Sequence, residues 1–182
     1  MPQDDHIAEH GTHVNPFTRE DVLSILRERA WLIADPSPEH LAFAERAAAL
    51  LGHFALDRTG LHDLLHLVFT YDAAHSLQTS ESHAVLTRYA ARDVIRELAL
   101  FLLDPAPFTS DRFKEAVTLL KERLDIRGRD LFHPIRLVLA GRAGEGELDR
   151  VILLVDEAAP LPFAAPIKSI RARILEFCSL LD

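Results

Sequence analysis

No stretch of this chain alternates apolar and polar residues at period two for long enough to make a strand. Its apolar residues recur instead at spacings of three and four, between punctuation that starts and stops helices. Thr18 precedes "REDVLSILRERAWLIA" with Asp21 three residues on, a capping-box-like start whose apolar stripe is Val22, Ile25, Leu26 and Ala30. Ser37 caps a second helix and Pro38 opens it. Gly60 opens "LHDLLHLVFTYDAAH", and Ser80 caps one long helix, "ESHAVLTRYAARDVIRELALFLLD", which stops before Pro105. Ser110 caps "DRFKEAVTLLKERLD", and Pro134 opens a short helix, "IRLVLAG", ended by Gly141. "GELDRVILLVDEA" and "IKSIRARILEFCSLL" complete the series. The pattern predicts an all-α helical bundle of 182 residues, of which 48% are apolar, enough for a substantial core.

Charge divides the chain. Residues 1–86 hold 5 Lys and Arg against 13 Asp and Glu, and so carry the whole net charge of −8. Residues 87–182 hold 15 of each. Within 112–142 eight basic residues face four acids, a local excess of four positive charges. Nine of the ten histidines lie in the acidic half. With the polar run "SLQTSES" near 76–82 as the softest boundary, two parts are expected: an acidic, His-rich helical part over 1–82 and a second helical part over 83–182. A basic face on one part hints at a polyanion partner, and mixed solvated charge explains the same counts. The acidic N-terminal half could itself meet a basic protein.

The single cysteine, Cys178, excludes an internal disulfide and a cysteine-based zinc site, and its apolar helix face predicts a buried structural thiol. The opening "MPQDDHIAEHGTH" has neither a basic nor an apolar region of a secretory signal, and no apolar run approaches a membrane span. A soluble, cytoplasmic protein without membrane attachment is expected.

Chemistry has few footholds. His62 and His66 stand four apart in "HDLLH" and share a helix face, as two ligands of a metal would, with His75 or Asp72 as a third. Asp63 replaces the glutamate that a zinc-protease helix would use as general base. Leu61, Leu64, Leu65, Val68 and Phe69 read as a core face that the two histidines merely flank. No P-loop, dinucleotide fingerprint or nucleophile elbow is present, and "GRAGEGE" has no lysine or hydroxyl after it to complete a phosphate cradle. No cofactor is implied.

The stretch "GRDLFHPIRLVLAGRAGEGEL" is more specific. It resembles the C-terminal anticodon-binding region of bacterial glutamyl-tRNA synthetases, whose pattern runs G-(K/R)-x-L-F-x-P-(L/I)-R-x-A-L-T-G. Gly128, Leu131, Phe132, Pro134, Arg136, Leu139 and Gly141 fall at that spacing. The likeness covers about residues 90–157, and a fainter one through "LVFTYDAAHSL" extends towards residue 40. It implies an α-helix-cage fold and a non-catalytic module that binds the anticodon stem-loop of a tRNA and could act in trans with a tRNA enzyme. Neither the H-I-G-H nor the K-M-S-K type of motif occurs here, so the sequence as read could not charge a tRNA itself. Carried over by position, Arg136, Glu145, Gly146 and Leu148 would meet anticodon bases. Arg127, Arg129 and Arg142 would meet phosphates by charge.

The departures from the pattern are Ala140 for its threonine, Gly146 for its loop proline, and the acids Glu145 and Glu147 in the loop. Each acid opposes a phosphate unless it accepts a hydrogen bond from a base amine. Two other classes of function stay open: a protein-interaction scaffold that kept the fold and lost RNA, and a metal-binding protein built on the N-terminal histidines.

Overall fold

The computed structural model describes residues 14–181, and the opening stretch "MPQDDHIAEHGTH", with its expected lack of a secretory signal, lies outside them. Ten α-helices and no strand are found among the described residues: α1 (Arg19–Glu28), α2 (Pro38–Leu51), α3 (Arg58–Phe69), α4 (Ala73–Leu77), α5 (Ser80–Leu86), α6 (Ala91–Phe101), α7 (Ser110–Leu124), α8 (Arg129–Ala140), α9 (Gly146–Ala158) and α10 (Ile170–Ser179). The expected all-α bundle is what forms. None of these helices is long and apolar enough to cross a membrane.

The caps explain most of the boundaries. Thr18 and Asp21 close a capping box at α1, and the Ser37 hydroxyl accepts from the His40 amide ahead of Pro38. Asp57, Asp72, Thr79, Thr109 and Ser169 each accept an amide of the following first turn. Several expected boundaries move. Thr79 and Thr109 cap their helices where Ser80 and Ser110 were expected, Asp57 caps α3 ahead of Gly60, and the run from Leu61 to His75 divides between α3 and α4. Helix α1 ends at Glu28, and Ala30 is exposed with φ 55, so it leaves the apolar stripe. The long helix expected from Ser80 is two helices, broken where Ala90 takes φ 62. Pro134 does not open a helix but lies inside α8. Gly128, at φ 65, turns the chain early enough for α8 to begin at Arg129, and Gly141, at φ 90, ends it in the left-handed region that a glycine enters without a Cβ penalty.

One apolar core takes side chains from α1, α2 and α3 as well as from α6, α8, α9 and α10. Helix α9 packs on both α2 and α3, and α8 packs on α6, α9 and α10. Leu137, Val138 and Leu139 of α8 and Leu148, Val151, Ile152, Leu154 and Val155 of α9 are fully buried, which makes this hairpin the centre of the fold. Asp156 on α9 accepts the amides of Phe108 at 2.8 Å and Ile170 at 2.9 Å, fixing the entries to α7 and α10.

Arg173 on α10 is the largest fully buried side chain. Its guanidinium donates to the carbonyls of Leu67 at 3.0 Å, Val68 at 2.7 Å, Leu139 at 3.0 Å and Lys168 at 3.0 Å, and faces the Tyr71 ring at 4.9 Å. Leu67 and Val68 belong to the last turn of α3, and Leu139 to the last turn of α8. Carbonyls there have no partner within their own helix and carry the negative end of its dipole. One cation therefore caps two helix ends at once. The Tyr71 hydroxyl donates to Val138 O at 2.6 Å and Arg173 O at 3.2 Å, and Ser76 donates to Gly141 O at 2.7 Å. Residues of the acidic part thus hold the C-terminal end of α8.

Candidate nucleic-acid interface

The basic residues singled out in the sequence gather around the two ends of α8. Arg127 and Arg129 stand at its entry, and both are exposed. Arg142 follows Gly141 at its exit, also exposed. Lys121, Asp125, Ile126 and Arg127 line a hollow of about 430 Å³ beside the entry.

Arg136 does not share that exposure: only 8% of its surface reaches solvent. The side chain makes a bidentate pair with Asp149 on α9, at 2.8 and 3.0 Å, and donates to the carbonyl of Gly144 at 2.9 Å. Its guanidinium lies 5.0 Å from the centre of the Phe132 ring. A planar fork that meets a carboxylate in this way is held in both position and orientation. In this conformation Arg136 fixes the α8–α9 loop, with three of its five N–H groups engaged by Asp149 and Gly144. Leu148 is fully buried and supports the loop from below. Gly146 is exposed at the start of α9, where a Cβ would meet no atom within 4 Å.

Glu145 precedes α9 and is 63% exposed. Three cationic or donor groups converge on its carboxylate: Arg129 at 3.6 Å, His133 Nε2 at 3.8 Å and Arg136 at 3.9 Å. Behind them Arg88, from the corner between α5 and α6, meets His133 Nδ1 at 3.0 Å. A guanidinium can only donate, so Nδ1 accepts and a proton on Nε2 faces Glu145. That Nε2 is buried without a hydrogen-bond partner. Glu147, the other acid of the loop, takes no part in this cluster.

Sequence reasoning missed His133, Arg88 and Asp149. The first is the variable residue of the "LFHP" corner, the second lies 45 positions upstream of it, and the third is one charged residue among several on α9. Only the 13-residue spacing between Arg136 and Asp149 across a hairpin could have suggested the pair.

The metal candidates are arranged otherwise. His62 and His66 are neighbours on α3, with ring centroids 6.3 Å apart, and both lie against Trp31, at 6.2 and 6.1 Å. The apolar face they flank is buried as expected, from Leu61 to Phe69. Burial, helped by nearby Arg29 and His62, pushes the His66 pKa down and favours the neutral ring. His75 and Asp72 do not join them: no group of three metal-ligating side chains occurs among the described residues. Cys178 is half-buried, and burial raises its thiol pKa, the opposite of nucleophile activation.

The fold and this site define an all-α bundle with exposed arginines around a clamped loop. No family model matches the chain, and no curated protein matches it either.

Proposed function

We propose that this protein is a non-catalytic tRNA-binding module that holds an anticodon stem-loop against the α8–α9 corner. The observation that carries the reading is the coincidence of the "GRDLFHPIRLVLAG" pattern with a basic rim. The stretch that resembles the synthetase region forms one helix, and Arg127, Arg129 and Arg142 stand exposed at its two ends. Exposed arginines of this kind attract a phosphate backbone and stack on unpaired bases. Arg136 has a positioning role here: clamped to Asp149 and Gly144 O, it sets the loop whose residues face solvent. The acidic charge of residues 1–86 lies outside this segment, and partner choice in trans with a tRNA enzyme belongs to it.

The test is binding of the whole chain to a glutamate tRNA transcript, with an unrelated tRNA as control, at low and moderate salt. Binding that weakens steeply with salt, prefers one anticodon and falls several-fold in Arg129→Ala and Arg142→Ala supports the reading. Absence of binding at low salt sinks it.

A second reading, a protein-interaction scaffold, rests on a different place. Between α6 and α10 an apolar groove of about 330 Å³ is lined by Ile95, Ala99, Leu100, Leu103, Leu175 and Leu181. Leu100, Leu103 and Leu175 are 53%, 50% and 42% exposed, more apolar surface than isolated leucines explain. Self-association lost in Leu103→Glu, with RNA binding absent, would favour it.

A further inference from the structure

We propose that Glu145 is an internal stand-in for an RNA phosphate, occupying a phosphate site that the RNA must take from it. The inference rests on the tRNA-binding reading and adds a site and its regulation to it.

The geometry around Glu145 is that of an anion site only partly satisfied. Arg129, His133 and Arg136 aim at one carboxylate from α8, yet all three remain at 3.6 to 3.9 Å, beyond hydrogen-bond range. The His133 Nε2 is a buried donor with no acceptor, a costly arrangement in a folded protein unless something else satisfies it. Arg88 behind it keeps that nitrogen the protonated one. Arg136 cannot follow Glu145 outward, because Asp149 and the Gly144 carbonyl hold it in place. Within this cationic bowl Arg136 and His133 are therefore held in place, whereas Arg129 and the present occupant, Glu145, stand exposed. Glu145 makes no side-chain capping bond at α9, and 63% of it faces solvent.

A phosphodiester fits these donors better than a carboxylate does. Its two non-bridging oxygens sit on a tetrahedral centre, farther from phosphorus than carboxylate oxygens from carbon, and each accepts more than one donor, so the pair can serve Arg129, His133 and Arg136 together. A Cβ at Gly146 would meet no atom within 4 Å, so the space beside the start of α9 is open to the same group. Rotation of the exposed Glu145 side chain into water vacates the bowl without any backbone movement. This accounts for an acid in a loop that otherwise suits RNA: Glu145 partly balances these donors when RNA is absent and competes with a phosphate when it is present. Glu147 carries the same charge two residues on but meets none of the three donors, so it serves as the internal control.

The experiment compares tRNA affinity of the whole chain as wild type, Glu145→Gln, Glu147→Gln and Glu145→Gln/Arg129→Ala, each across a salt series. Unchanged thermal midpoints confirm that all four fold. Glu145→Gln is expected to bind about tenfold tighter, with a salt dependence steeper by close to one released counterion. Glu147→Gln is expected to change affinity less than about twofold, as a charge outside the bowl screened by salt. Adding Arg129→Ala should remove most of the gain.

Equal tightening in the two glutamine variants would overturn the proposal, because loss of any negative charge would then suffice. Weaker binding by Glu145→Gln would overturn it too and make Glu145 an acceptor for a base amine. In both cases wild-type binding leaves the RNA reading intact. Failure of every variant to bind at low salt overturns both together.

Discussion

Two buried arginines organise this molecule, and they are buried for different reasons. Arg173, wholly enclosed, has no carboxylate partner: it spends its donors on backbone carbonyls at the ends of α3 and α8. Burial pushes its pKa down to about 10, and the neighbouring Tyr71, Asp156 and Glu176 act in the opposite direction. Arg136, nearly as buried, has a bidentate carboxylate and a single loop carbonyl, and a second acid waits at its outer edge. The first arrangement joins helices from both parts of the chain. The second joins one hairpin to its own loop and keeps a charged neighbourhood at the surface. A cation balanced by helix ends is structural, whereas one balanced by removable acids stands where an outside anion can compete.

Substituting the two arginines should separate these roles. Arg173→Met leaves three helix-end carbonyls without their donor and is expected to cost about 3–5 kcal/mol, lowering the thermal midpoint by roughly 10 °C. No second substitution can rescue it, because its partners are backbone atoms. A midpoint within 2 °C or so of wild type would break the comparison at its stronger end.

Arg136→Ala should cost less, about 2–3 kcal/mol, because the stranded Asp149 keeps 26% of its side chain in solvent. Here rescue is expected. Arg136→Ala/Asp149→Ala should recover a large part of the loss, giving a coupling energy of about 1–2 kcal/mol in denaturant unfolding. Strict additivity would show that the pair is not a clamp.

Tyr71→Phe removes two hydroxyl bonds beside Arg173 and should cost about 1–2 kcal/mol near neutral pH. It also carries a pH signature. Burial pushes the Tyr71 pKa well above its ordinary value. The unfolded chain therefore loses this proton at lower pH than the folded one, and stability falls as pH rises through about 10. The wild type should lose stability there faster than Tyr71→Phe. Parallel curves would deny Tyr71 that role.

The smallest effect on stability belongs to Arg129→Ala, within about 0.5 kcal/mol, since the side chain is 74% exposed. Its effect should appear instead in tRNA affinity. A variant that loses stability and keeps affinity would invert the assignment.

How far the sequence foretold all this depended on whether the cause was local. Ser37 with Pro38 and the run from Gly146 to Ala158 carry their own start signals, and those helices begin where they were expected. The break at Ala90 has no glycine or proline to announce it. A non-glycine residue in the left-handed region there turns the chain so that Ala91 enters the core and Arg88 meets His133. Pro134 reads as a helix opener because proline suits a first turn, but Gly128 begins the helix five residues earlier than expected. Arg136 was legible as important and illegible as buried, because its burial depends on Asp149 in the next helix. The convergence on Glu145 was invisible for the same reason. It takes a hairpin to bring residue 145 beside residues 129 and 133.

The Arg136–Asp149 clamp also has a consequence for descent. Two residues 13 positions apart form one unit, and each is the other's nearest charged partner. Losing the arginine would leave a stranded acid in the hairpin, and losing the acid would leave a loose cation beneath the loop. A lineage carrying this hairpin is thus expected to keep both letters or exchange both, with single changes surviving only briefly. The clamp makes the two positions a single heritable character, written in two places.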